Sequence, residues 1–273
     1  MDNLTDSTTN PPVDSQPEEE LNHSDKMIGI ITEPSSTFDK IAKFPLKTID
    51  WLLPAILLFL VICITQVVIN SNKAIHSQIV DKQLTKIEAG LDKAVASGKM
   101  TADEKAKQMD TIQDRMETYG PIQIIFTFVG VFIGGFIMFF IMCGIYYLFV
   151  KFALKGDGNY NSILVVSGLT FYIGILNIVV ATILTFAFGR MVQDVSVASF
   201  LDSDRSTIAG FIFAKLDVIG IWGYIVLSIG LAKLFKSSDT VKYYITVFGI
   251  WILGGLLFFL LAKAVPFLSY FGA

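Results

Sequence analysis

"PIQIIFTFVGVFIGGFIMFFIMCGIYYLFV", residues 121–150, contains no charged side chain. Wound as a helix at about 1.5 Å per residue it is more than long enough for a hydrocarbon core of roughly 30 Å. Four further runs read the same way: "WLLPAILLFLVICITQVVI" (51–69), "ILVVSGLTFYIGILNIVVATILTFAFG" (163–189), one that begins between Ile208 and Asp217 and ends near Phe235, and "YYITVFGIWILGGLLFFLLAKAVPF" (243–267). Lipid offers no hydrogen bonds, so each backbone must satisfy itself, and helices are expected. Pro54 is placed in the first turn of its run, where a missing N–H costs little. The fold class expected is therefore all-α: a polytopic membrane protein with five transmembrane helices and an extramembrane helical hairpin.

Composition agrees. The 273 residues are 53% hydrophobic and 16% charged, with 23 Phe, and mean hydropathy is +0.62. Soluble domains run near a quarter charged. A net charge of −3 gives no basis for nucleic-acid binding. Cys63 and Cys143 both lie inside apolar runs, which excludes a disulfide framework. His23 and His76 lie outside those runs and far apart, so neither metal-ligand spacing nor a Ser/His/Asp set can be assembled. "KGDGNYNSIL" (155–164) lacks the phosphate-cradling GxxxxGK[ST] arrangement and reads as a turn. No catalytic residue, cofactor or metal is expected.

The chain divides into three parts. Residues 1–27 read as a disordered acidic tail: through Asp25 there are seven acids, three prolines and no Lys or Arg, too little apolar surface to offset ordering entropy. Residues 28–50 hold an amphipathic interfacial segment. In "TEPSSTFDKIAKFP" (32–45) a helix from about Ser35, capped by Ser35 or Ser36, puts Phe38, Ile41, Ala42 and Pro45 on one face and Lys40 and Lys43 on the other. That pattern suits an apolar side in the acyl boundary and lysines towards anionic headgroups. Residues 51–267 form the membrane domain, interrupted by 70–120. There Ile75, Ile79, Leu84, Ile87, Leu91 and Val95 make one helical stripe. Ala102, Ala106, Met109, Ile112, Met116 and Tyr119 make a second, opened by a Thr101–Glu104 capping box. The two stripes can face each other as a hairpin.

Orientation follows the short-loop lysines. Lys40, Lys43 and Lys47 precede the first span, Lys151 and Lys155 follow the second, and Lys233, Lys236 and Lys242 lie between the fourth and fifth. They place the N-terminus in the cytoplasm, and the hairpin and C-terminus on the far side, as in a bacterial cytoplasmic membrane. The centres of the five runs carry no ionisable residue, which argues against proton relays, voltage sensing and intramembrane proteolysis. Asp217 is the borderline intramembrane charge, expected at the outer interface as a pair with Lys215. Asn177, near the middle of the third run, is expected to hydrogen-bond a neighbouring helix. Gly130 and Gly134 of "GVFIG" form a small-xxx-small pattern expected to admit another helix of the bundle, and Gly220, Gly223, Gly230, Gly249, Gly254 and Gly255 extend that reading.

In order along the chain, "EPSSTFDKIAKFP", "SGKMTADEKAKQM", "KGDGNYNSILVVSGLTFYIGIL" and "LDVIGIWGYIVLSIGLAKLF" resemble the bacterial branch of the Yip-domain family, named for Ypt/Rab-interacting proteins. The resemblance covers about 30–265. It implies a five-helix membrane domain with a cytoplasmic N-terminus and no catalytic residues to carry over. Eukaryotic relatives act in vesicle trafficking with small GTPases, but the "DLYGP" signature is missing here. Some bacterial relatives stand beside export systems, so an exporter is one partner the resemblance implies. The function expected is a non-enzymatic membrane scaffold or accessory subunit in contact with lipids and another membrane protein, its oligomeric state open. The alternative is a permease or lipid-translocating protein, with Asn177, Thr170, Thr182 and Thr185 lining a polar seam.

Overall fold

The computed structural model describes residues 19–117 and 120–264. These residues are helical apart from their connections and one isolated antiparallel bridge, Ser196 with Asp217. The helices are α1 (His23–Thr32), α2 (Pro34–Ile41), α3 (Ile49–Ser71), α4 (Lys73–Ala96), α5 (Ala102–Glu117), α6 (Pro121–Leu148), α7 (Tyr160–Phe188), α8 (Val197–Phe200), α9 (Ile208–Lys215), α10 (Val218–Leu234), α11 (Val241–Gly249) and α12 (Gly255–Ala264). A π turn, Phe149–Ala153, extends α6, and another, Ile250–Gly254, joins α11 to α12.

Among the described residues, four helical stretches are long and apolar enough to cross a membrane: Ile49–Ser71, Pro121–Ala153, Tyr160–Phe188 and Val241–Lys263. The expected fourth run is broken. Its apolar residues divide between α9 and the 17-residue α10, with Leu216 and Asp217 out of helical geometry between them. The cause is local. The Asp217 carboxylate accepts the Gly220 N–H at 3.0 Å, so it caps a new helix instead of continuing the old one.

The other helix ends follow their sequence. Asn159 accepts from Ser162 N–H to open α7, and Gly189, at φ +63°, closes it in the left-handed region that favours glycine. Thr101 and Glu104 make the expected capping box, with Thr101 N–H to Glu104 Oε2 at 2.8 Å and Glu104 N–H to Thr101 Oγ1 at 3.2 Å. Lys105 then ties α5 to Glu88 and Asp92 of α4, completing the hairpin. Tyr119, the last member of the second stripe, lies outside the described residues. Pro54 is internal to α3, not in its first turn, because the helix begins at Ile49. Proline lacks the N–H that would bond the Asp50 carbonyl.

The bundle is built around α7. Its neighbour α3 crosses so closely that a Cβ on Gly168 would meet the Trp51 Cα at 2.4 Å. On its other side, a Cβ on Gly230 of α10 would meet Val166 at 2.5 Å and Phe38 of α2 at 2.7 Å. The core runs through Phe38, Val166, Leu169, Val226 and Leu231. By contrast α6 and α12 turn large apolar side chains outward, Phe126 being 72% exposed and Leu253, on the turn before α12, 67%. Such surfaces suit lipid.

Three expectations are corrected here. The acidic tail ends earlier, because His23–Met27 belong to α1; residues 1–18 lie outside the described residues, as do 265–267 of the fifth run. The second helix starts at Pro34 with Glu33 at its cap, so Ser35 and Ser36 are inside it and cap nothing. Half of its expected apolar face meets protein: Phe38 is 0% and Ile41 3% exposed, packed on α10, while Ala42 and Pro45 are exposed and Lys40 and Lys43 face outward. An amphipathic stripe states only that one face must leave water; here α10 covers Phe38 and Ile41.

Candidate functional site

Two polar clusters stand out in a chain so apolar. The first fixes the N-terminal helices. Lys26 projects from α1 and its Nζ donates to Asp50 Oδ2 at 2.8 Å. Both side chains are buried, at 5% and 2% exposure. The second Asp50 oxygen lies 3.3 Å from His23 Nδ1, and His23 Nε2 lies 2.6 Å from the Tyr172 hydroxyl. Glu20 adds an ion pair to Lys26 at 3.6 Å and accepts from Lys47 at 2.8 Å; that Lys47 bond holds the Glu20 carboxyl below its ordinary value. Each charge therefore has a partner of opposite sign, as buried charges require. Tyr172, His23 and Asp50 form a proton-sharing chain, but Lys26 occupies the carboxylate and Tyr172 is buried. The geometry clamps α1 onto α3 and α7 and presents no nucleophile.

The second cluster lies deeper. Helix α7 serves as a ruler. Trp51 lies against Gly168, and the Thr65 and Thr182 hydroxyls meet at 3.4 Å, so α3 and α7 run parallel with one offset. In that register the midpoint of α3 is level with Asn177. Asn177 Nδ2 donates to Asp217 Oδ2 at 2.6 Å. With the Gly220 bond, both carboxylate oxygens of Asp217 are engaged, and the residue is 7% exposed. Asp217 thus sits at mid-height of the bundle, in the break between α9 and α10, and not at an end. The expected pair with Lys215 does not form. The Lys215 Nζ instead lies 4.8 Å from the centre of the Trp251 ring, 5.2 Å from that of Phe211, and 3.4 Å from the Trp251 carbonyl. A short helix places successive side chains about 100° apart, and the chain break turns the two residues to different neighbours.

The break is held by the connection from α7 to α9, which folds back along α7 instead of looping away. Val192 N–H donates to Thr185 Oγ1 at 3.0 Å, and Val197 N–H to the Leu216 carbonyl at 3.1 Å. Arg205 grips Asp194 with two nitrogens at 2.9 and 2.8 Å, and Ser196 and Ser199 donate to the same carboxylate. Burial alone would raise the Asp194 carboxyl, but these donors override it and hold it down at about 2.

The sequence-nominated residues are only partly brought together. Asn177 and Asp217 meet. Gly130 and Gly134 do not contact another helix, since a Cβ on either would find nothing within 4 Å. The close approach on α6 is at Gly135, against Phe59 at 2.6 Å. Of the other glycines, Gly230 is tightly packed, while Gly249 and Gly254 face open space. The threonines of the polar seam bond their own helix: Thr170 to the Ser167 carbonyl, Thr182 to Ile178 and Thr185 to Ala181. Lys26, Asp50, His23 and Tyr172 were not foreseen as a cluster. Their one sequence signal was an acid at the mouth of an apolar run.

A family model described as the Yip1 domain matches residues 28–262. No match was found among curated proteins or among solved structures. The matched range holds α2 to α11 entire, with the second half of α1 and all but the end of α12, and therefore both polar clusters except His23, Lys26 and Glu20. With its membrane-length apolar helices, the chain is an integral multi-pass membrane protein belonging to the Yip1-domain family.

Proposed function

We propose that this protein is a non-enzymatic membrane scaffold or accessory subunit that binds another membrane protein. One observation carries the reading: the polar groups Lys26 and Asp50, and Asn177 and Asp217, are engaged with one another, while an extramembrane hairpin and broad apolar faces are left outward. The proposal places five crossings, the fourth made by α9 and α10 together, the N-terminal helices in the cytoplasm and the hairpin outside. Its support is the clustering of short-loop lysines at the α1–α2 end, where Lys233 pairs with Asp39 at 2.7 Å and Lys236 with Asp157 at 3.7 Å. Deleting 73–117 from the full chain in its own membrane tests the hairpin's part. Loss of co-purifying membrane proteins is expected, and their unchanged retention would sink that version.

A second reading has its own observation. A discontinuous helix with a polar break at mid-height is how many transporters build substrate sites. A permease or lipid-translocating protein would move its cargo past Asn177 and Asp217, and flux across protein-containing liposomes separates the two readings.

A further inference from the structure

Lys215 is the deep charge that nothing in the bundle neutralises. Among the described residues no carboxylate lies within ion-pair distance of its Nζ, and its one polar contact is the 3.4 Å approach to the Trp251 carbonyl. Its height is set by the fifth span. Val241–Lys263 has its midpoint at Ile252, and the Nζ lies beside Trp251 and 2.8 Å from where a Cβ on Gly255 would stand. A lysine at that level does not reach headgroups by extending its stem. Asp217, two residues on, is committed to Asn177 and the Gly220 amide. The surroundings are apolar and outward-facing: Ile212 is 52% and Leu216 48% exposed, and the Phe211 and Phe259 rings pack at 5.2 Å beside the amine. Aromatic faces soften the cost of a cation but do not cancel its charge. In hydrocarbon an ammonium is costly and pairs with an acid or with backbone carbonyls; the one carbonyl here, at 3.4 Å, leaves its charge uncancelled.

We propose that the α9–α12 face is a docking surface for a partner's transmembrane helix carrying a carboxylate near its middle, with Lys215 as the counter-charge. This deepens the scaffold reading and rests on it. A helix of that chemistry supplies both things the face lacks: an acid at mid-height, and apolar side chains to cover Ile212, Leu216 and the Phe211–Phe259 pair. A half-buried amine between two helices also fixes the partner's height in the membrane, which a purely apolar face cannot do.

The test uses the full chain in phosphatidylcholine nanodiscs and fluorescent polyleucine transmembrane peptides, dilute enough to be monomeric, with a central Glu, Gln or Lys. Energy transfer from the chain should show the Glu peptide associating at least tenfold more tightly than the Gln peptide, and the Lys peptide not at all. Lys215→Met should erase the difference and Lys215→Arg should keep it. Equal binding of Glu and Gln peptides by the unaltered chain overturns the proposal, whatever the variants' stability, and leaves the scaffold reading standing. So does displacement of the Glu peptide when phosphatidylglycerol replaces phosphatidylcholine, which would assign the site to an anionic lipid.

Discussion

The two polar clusters differ in how they close. At the N-terminal helices, Lys26 and Asp50 cancel, with His23, Tyr172, Glu20 and Lys47 around them. At mid-height, Asp217 is held by neutral donors and Lys215 by aromatic rings. The first cluster uses Lys26, Asp50, His23 and Tyr172 to hold α1 to α3 and α7. The second leaves a cation, Lys215, with no carboxylate at ion-pair distance among the described residues. A closed cluster stabilises the fold; an open one can recognise something. The variants that follow separate these roles.

The largest loss is expected from Lys26→Met, which strands the buried Asp50 carboxylate; breaking a buried pair from one side costs about 3–5 kcal/mol. Thermal unfolding in detergent measures it, and Lys26→Met with Asp50→Leu should recover much of the loss. If the single and double variants unfold alike, the pair is not the clamp described. Next is Gly168→Leu. Its side chain would collide with the Trp51 backbone and push α3 from α7, for about 1–3 kcal/mol. The same thermal assay should find Gly130→Ala harmless, because that position is open. Asn177→Leu removes a donor from the Asp217 carboxylate and should cost about 1–2 kcal/mol. Lys215→Met should leave the melting temperature near that of the unaltered chain, since it deletes a charge that stabilises nothing within the bundle.

A local effect is pH-dependent. The Asp194 carboxyl is depressed from its ordinary 3.8 to about 2. A depressed carboxylate contributes stability that is present above its unfolded value and is lost as pH falls through the folded one. Protection of the Val192–Thr207 amides in hydrogen exchange should therefore hold down to about pH 4 and fall between 4 and 2. Asp194→Asn should flatten that step, and a step of unchanged size in the variant would assign it to other groups.

Much of the fold could be read from the sequence because membrane spans announce themselves. A run such as 121–150 has one stable answer in lipid, and the hairpin's capping box is set by residues three apart. What could not be read depends on pairing across distance. Hydropathy averages over Asp217 and so hides a break that one carboxylate makes by capping. Lys26 and Asp50 look like a tail residue and a flanking acid until the helices fold together. Phe38 and Ile41 declare an apolar face without saying whether lipid or α10 will cover it. The glycine pattern on α6 permits close approach at several positions, but the neighbour selects Gly135, about 100° round the helix from Gly134.

The claim beneath these differences is that the bundle docks and does not conduct. Reconstituting the purified chain in liposomes, and following scrambling of labelled lipids together with leakage of small solutes, tests it most directly. Rates equal to protein-free vesicles are predicted for the unaltered chain and for Asn177→Leu alike. A flux that the chain confers and Asn177→Leu abolishes would contradict the account.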